Sequence, residues 1–99
     1  QSPWFIKADH GELSVVDDTL HLSEQVIMTK MSLLSKQLLT INTQHVTIQL
    51  NKHQANTTDW VDLSSPPHRT RAMGMQLVFA QPAMIRLLSS VQGHYEIHP

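Results

Sequence analysis

The sequence predicts an all-β sandwich or roll, and three observations predict it. Short segments alternate apolar and polar residues with period two, turn-forming residues separate them, and a strand–turn–strand spacing recurs along the chain. The cleanest segment is Val46-Thr47-Ile48-Gln49-Leu50, with three aliphatic residues on one face and Thr and Gln on the other. Leu20, Leu22, Val26 and Met28 also point one way. Leu39-Thr40-Ile41 and Leu77-Val78-Phe79 behave similarly. Strands of about 5 residues at this spacing give an expectation of roughly eight to ten short antiparallel strands.

The turn signals lie at Asp17-Asp18, Asn51-Lys52-His53, Ser64-Ser65-Pro66-Pro67 and Gln81-Pro82. Ala72 to Glu96 is apolar enough to raise the question of a buried helix or a membrane segment. Pro82 would break a helix and Gly74 would weaken one, so the stretch reads as a hairpin, Leu77–Phe79 followed by Ile85–Leu88. In Glu24 to Gln37, the apolar residues Val26, Met28, Met31, Leu33 and Leu34 fit neither period well. Its first half reads as strand and its second as loop.

The repeat ties these pieces together. Ala8, Leu13 and Val15 share their spacing with Ile41, Val46 and Ile48, and with Ala72, Leu77 and Phe79. Each set is followed by a second strand: Leu20-x-Leu22-xxx-Val26, Ala55-x-Thr57-xxx-Val61 and Ile85-x-Leu87-xxx-Val91. The unit of about 30–35 residues is strand, turn, strand.

Composition narrows the function. Of 99 residues 40% are hydrophobic and only 15% charged, below the roughly 25% of an ordinary globular chain, which favours half-buried pleated surfaces. One domain over residues 1–99 is the expectation for this length. A net charge of −1 advertises no basic face for nucleic acid. The absence of cysteine excludes disulfides, thiolate zinc sites and a Cys nucleophile. No run approaches the ~18 apolar residues of a membrane span, and QSPWF does not read as a signal peptide, so the chain is expected to be soluble.

Metal and catalytic readings find little support. His10, His21, His45, His53, His68, His94 and His98 show no spacing that aligns two imidazoles, and read as surface residues. Asp17-Asp18 suits a hairpin turn, while Asp59 and Asp62 flank Trp60 in an alternating strand. With no triad, phosphate loop or paired carboxylates, neither an enzyme nor a cofactor is expected. Five Met beside two Phe suit a surface that adapts to several acyl chains, although such residues also simply fill cores.

Two runs carry a family resemblance. Trp4-Phe5-Ile6-Lys7-Ala8-Asp9, followed by DDTLHLSEQVIM, resembles the opening of the LptC periplasmic domain. Gly74-Met75, and then Ile85-Arg86-Leu87-Leu88-Ser89-Ser90-Val91-Gln92-Gly93-His94-Tyr95-Glu96, is similar to that family's "GM … IRLLS-x-VRG-x-YE" ending. Leu38-Leu39-Thr40-Ile41 and Val46-Thr47-Ile48 fit the strand pair between them. One departure is Ser23-Glu24-Gln25, where the family usually carries a Gly in the turn before the strand at Val26.

The resemblance implies an open antiparallel β-jellyroll, two facing sheets enclosing a hydrophobic groove, truncated at its N-terminal end. It implies a periplasmic protein whose N-terminal membrane helix and first strands fall outside this chain. Such a protein takes lipopolysaccharide from the inner-membrane ABC transporter and passes it to LptA. On this reading the groove is lined by Leu13, Val15, Leu20, Leu22, Val26, Met28, Ile41, Val46, Ile48, Leu50, Leu77, Phe79, Ile85 and Leu87. LptA would dock on the C-terminal edge, Val91, Gln92, Gly93, His94, Tyr95 and Glu96, and exposed strand edges would favour self-association. The competing readings are an LptA-like jellyroll of the same pathway and a carbohydrate-binding β-sandwich using Trp4, Trp60 and Tyr95, expected at strand ends.

Overall fold

In a computed structural model that describes residues 4–31, 38–80 and 84–94, the polypeptide is one antiparallel sheet. Its strands are β1 (Trp4–Lys7), β2 (His10–Ser14), β3 (Thr19–Met31), β4 (Leu38–Gln49), β5 (Gln54–Ser65), β6 (His68–Val78) and β7 (Met84–His94). A single 3-10 turn, Leu50–Lys52, links β4 to β5. Neighbours run β1-β3-β4-β5-β6-β7, and β2 also pairs with β3. β1 and β2 lie end to end along β3, facing Ile27–Lys30 and Thr19–Ser23 respectively, so together they form one edge. β7 forms the other, and the sheet is open.

Against the expected eight to ten short strands, the described residues form seven, and β3 to β7 each run 11–13 residues. The polar interruptions inside them are β-bulges rather than turns. Glu24 and Gln25 on β3 oppose Gln44 alone, and Thr58 and Asp59 on β5 oppose Gly74 alone. The register also shifts between β4 and β5, and between β6 and β7. These irregularities fall at similar heights in adjacent strands. Each one bends its strand and adds twist, so the sheet curls across this line. The backbone records the curl in Glu24 (φ 62°), Gln25 (φ 58°), Gly74 (φ 85°) and Ser90 (φ 51°).

Curling lets the sheet cover itself. Val26, Met28, Ile41, Ala55, Val61, Ala72, Met75 and Leu77 have no exposed surface, which a flat sheet wet on one face could not achieve. The overall extents of 52 × 30 × 22 Å fit two layers about 10 Å apart plus their outer side chains. The two facing sheets expected from the resemblance are thus two halves of one continuous sheet.

Bulges also keep the apolar face inward. On β4, Ile41 and Thr43 are buried before the irregularity and Val46 and Ile48 after it, a change of parity that an unbroken strand would turn to solvent. The two buried polar side chains repair the backbone there. The Thr43 hydroxyl donates to the Trp60 carbonyl at 2.9 Å, and the Thr57 hydroxyl accepts from the Asp59 amide at 3.1 Å.

The sequence repeat corresponds to three hairpins, β2–β3, β4–β5 and β6–β7, with Leu13 opposite Leu20, Ile48 opposite Ala55 and Leu77 opposite Ile85. The turns at Asp17-Asp18, Asn51–His53 and Ser64–Pro67 stand where expected, while Gln81-Pro82 lies outside the described residues. At the first turn the Asp17 carboxylate accepts from the Ser14 hydroxyl, and the Asp18 carbonyl accepts from the Leu50 amide. Of Glu24–Gln37, the expected strand half belongs to β3, which ends at Met31; residues 32–37 lie outside the described residues.

Candidate lipid groove and strand edges

The inner face is built row by row across the sheet. One row runs Leu13, Leu20, Ile48, Ala55, Leu77, Ile85, and its neighbour contains Leu22, Val46, Met75 and Leu87. Beyond the bulges a further row runs Ile6, Met28, Ile41, Leu63 and Thr70. All the buried apolar residues join one cluster. Leu20, Phe79, Ile85 and Leu87, with Trp4, Ala8, Leu39 and Leu63, are half-buried and pack against it. Phe79 follows the end of β6, its amide bonded to the His53 carbonyl at 3.0 Å and its ring edge-on to the His53 ring.

Three residues expected to line the groove lie exposed. Leu13 shares the inner row with Ile48 but is 55% exposed, because β2 is a short edge strand with no layer over it. Val15 is 83% exposed, since β2 ends at Ser14 and Val15 enters the turn. Leu50 is 40% exposed because β4 ends at Gln49 and the 3-10 turn interrupts the alternation. Reasoning from sequence left out Ala55, Val61, Ala72 and Met75, all fully buried. Ala55, Val61 and Ala72 stand in the sequence repeat as strand positions, but the bulge at Thr58-Asp59 breaks the period that would have put Ala55 and Val61 on one face.

Small and flexible residues dominate the deepest positions. Ala55 and Ala72 contribute little bulk, and the Met28 and Met75 thioethers can repack around an apolar guest.

At the C-terminal edge, β7 pairs with β6 and with no other strand among the described residues. Val91 is exposed. Tyr95 and Glu96 lie outside the described residues. The opposite edge exposes Phe5 and Ile6.

The outer face is polar. A hollow of about 390 Å³ on the bulge line is lined by Gln25, Thr43, Trp60, Asp62 and Arg71 among others. The Arg71 guanidinium lies 4.8 Å above the Trp60 ring and 3.7 Å from the Asp62 carboxylate. Trp60 is in the middle of β5, not at a strand end as expected. A cation also lies over Trp4, so each tryptophan has one ring face occupied by a cation. Asp59 pairs with His45, and Glu24 with His10 at 3.0 Å, both on exposed surface. These carboxylates serve local structure. Among the described residues no three His, Asp or Glu converge on a possible metal site, and no helix is long and apolar enough to cross a membrane.

No curated protein matches the chain. Residues 1–96 match the family described as lipopolysaccharide-assembly, LptC-related, which covers both runs that carried the resemblance. That family is a component of lipid transport rather than a family of enzymes. With its open, inward-apolar antiparallel sheet, the chain belongs to the LptC-related family of lipopolysaccharide-assembly proteins.

Proposed function

We propose that this chain holds the acyl chains of lipopolysaccharide between the two halves of its curled sheet. It receives the lipid from the inner-membrane ABC transporter and passes it to LptA in the periplasm. The observation that carries the reading is the open sheet itself: an apolar inner face runs between two edges, β1 with β2 on one side and β7 on the other, that join no further strand among the described residues. An unpaired edge templates strand addition, and stacking such sheets end to end would join their grooves into one path. On this reading the Val91–Glu96 edge receives LptA, and Phe5 and Ile6 mark the edge facing the transporter side. The same exposed edge makes self-association at high concentration a further consequence.

Photo-crosslinking tests the groove. A crosslinker replacing Phe79, half-buried on the core, is expected to capture lipopolysaccharide, while one at Gln49, on the opposite side of β4 from Ile48, is not. Equal capture at both positions would reject an internal groove.

A further inference from the structure

Among the described residues the inner face carries one lysine, and its neighbours there, Met28, Trp4 and Leu39, are apolar. On β3 the inward positions run Val26, Met28, Lys30, and Lys30 faces Trp4 on β1 and Leu39 on β4. The other described lysines and arginines lie elsewhere: Lys7, Arg69, Arg71 and Arg86 pair with outward positions, and Lys52 lies in the exposed 3-10 turn. The Lys30 ammonium lies 5.4 Å from the centre of the Trp4 ring, so its stem follows the indole and its charge is held at one end of the inner face. Among the described residues Lys30 is in no ion pair.

Trp4 supplies the second observation. It packs against the core, and its indole Nε1 is buried with no hydrogen-bond partner. An indole N–H withdrawn from water ordinarily finds an acceptor, and one left without is costly. Two donors, one charged and one desolvated, therefore stand together at the end of an apolar surface, and no acceptor of the described chain answers either.

We propose that Trp4 and Lys30 form a subsite for an anionic phosphate on the amphiphile whose acyl chains lie along the inner face. One phosphate oxygen accepts from Trp4 Nε1 and the charge is balanced by Lys30. The proposal rests on the groove reading above and adds which end of the groove holds the headgroup. The chemistry requires an anion rather than a neutral sugar, because both groups only donate and one is an ammonium.

Equilibrium binding by the 99-residue chain to diphosphorylated lipid A and to the same lipid with its phosphates removed tests it. The wild-type chain is expected to prefer the phosphorylated lipid by about tenfold, the scale of one charge-assisted hydrogen bond. Lys30→Gln is expected to abolish that preference and Lys30→Arg to keep it. Trp4→Phe keeps an aromatic ring but removes the N–H together with part of the indole, and is expected to reduce the preference while the affinity for the dephosphorylated lipid reports the lost packing. Circular dichroism checks that each variant retains its strands, and the dephosphorylated lipid reports any general damage to the groove. Equal wild-type affinity for the two lipids, or an undiminished preference in Lys30→Gln, overturns the subsite and leaves the groove reading intact. Binding of neither lipid overturns the groove reading itself. In a Trp60→Phe background, saturation of the Trp4 emission by millimolar inorganic phosphate alone would make this a free-anion site and reject the lipid assignment.

Discussion

A methyl group added at Gly74 meets two separate obstacles, and their sum is predicted to destabilise the fold strongly. Gly74 sits at φ +85°, opposite the bulged pair Thr58-Asp59, where an L side chain costs about 1–2 kcal/mol of backbone strain. An added Cβ would lie 2.8 Å from Leu88 Cδ1, 3.1 Å from its Cβ and 3.2 Å from its Cγ. Leu88 is half in solvent, so its Cδ1 can swing aside, but no rotation about its χ angles moves its Cβ. The overlap therefore adds about 1–2 kcal/mol, toward the low end of what overpacking costs. Together Gly74→Ala is expected to lose about 2–4 kcal/mol, which for a chain of this size lowers Tm by roughly 10–20 °C. Urea unfolding followed by far-ultraviolet circular dichroism measures this at constant m-value. Adding Leu88→Ala removes Cγ and Cδ1 and should recover about 1 kcal/mol, leaving the backbone strain in place. A single variant within about 0.5 kcal/mol of wild type would refute the geometry at the bulge. Full rescue by the second substitution would refute the strain half of the argument.

Gln25→Gly relieves one of two consecutive left-handed residues and is expected to stabilise by about 0.5–1 kcal/mol net of chain entropy; a lower urea midpoint would contradict it. Met75→Ala, at a fully buried position, should cost about 2–5 kcal/mol, whereas Leu13→Ala should cost under about 0.5 kcal/mol despite sharing the inner side. Similar losses at both sites would mean that β2 is covered by a second layer after all. Deleting residues 91–99 is expected to leave a folded chain that no longer captures LptA in a pull-down. Undiminished capture would rule out docking at that edge.

Much of the candidate site was legible because a strand's side-chain period is two. Val46 and Ile48, Leu20 and Leu22, and Leu77 each declare their shared side from spacing alone, since neighbouring residues in a strand must point to opposite faces. The hairpin turns were legible for an equally local reason: Asp17-Asp18 and Asn51–His53 hold their own backbones. The ordered runs at Trp4–Asp9 and Ile85–Glu96 placed the chain in its family. The flagged departure at Ser23-Glu24-Gln25 also fell on a real feature, the bulge where two residues without glycine's freedom adopt positive φ.

Strand length, burial and the Trp4–Lys30 pair were decided only in three dimensions. Bulges break the local period without ending the strand: Ala55, Thr57 and Val61 read as one strand from spacing, but only its partners show that Thr58-Asp59 is an insertion within it. Leu13 and Ile48 carry the same pattern and share one row, yet one is exposed and the other buried. Periodicity reports which side a residue occupies, whereas burial depends on whether another layer lies across that side. That layer comes from strands distant in sequence, and it exists here because bulges on successive strands stand side by side and curl one sheet onto itself.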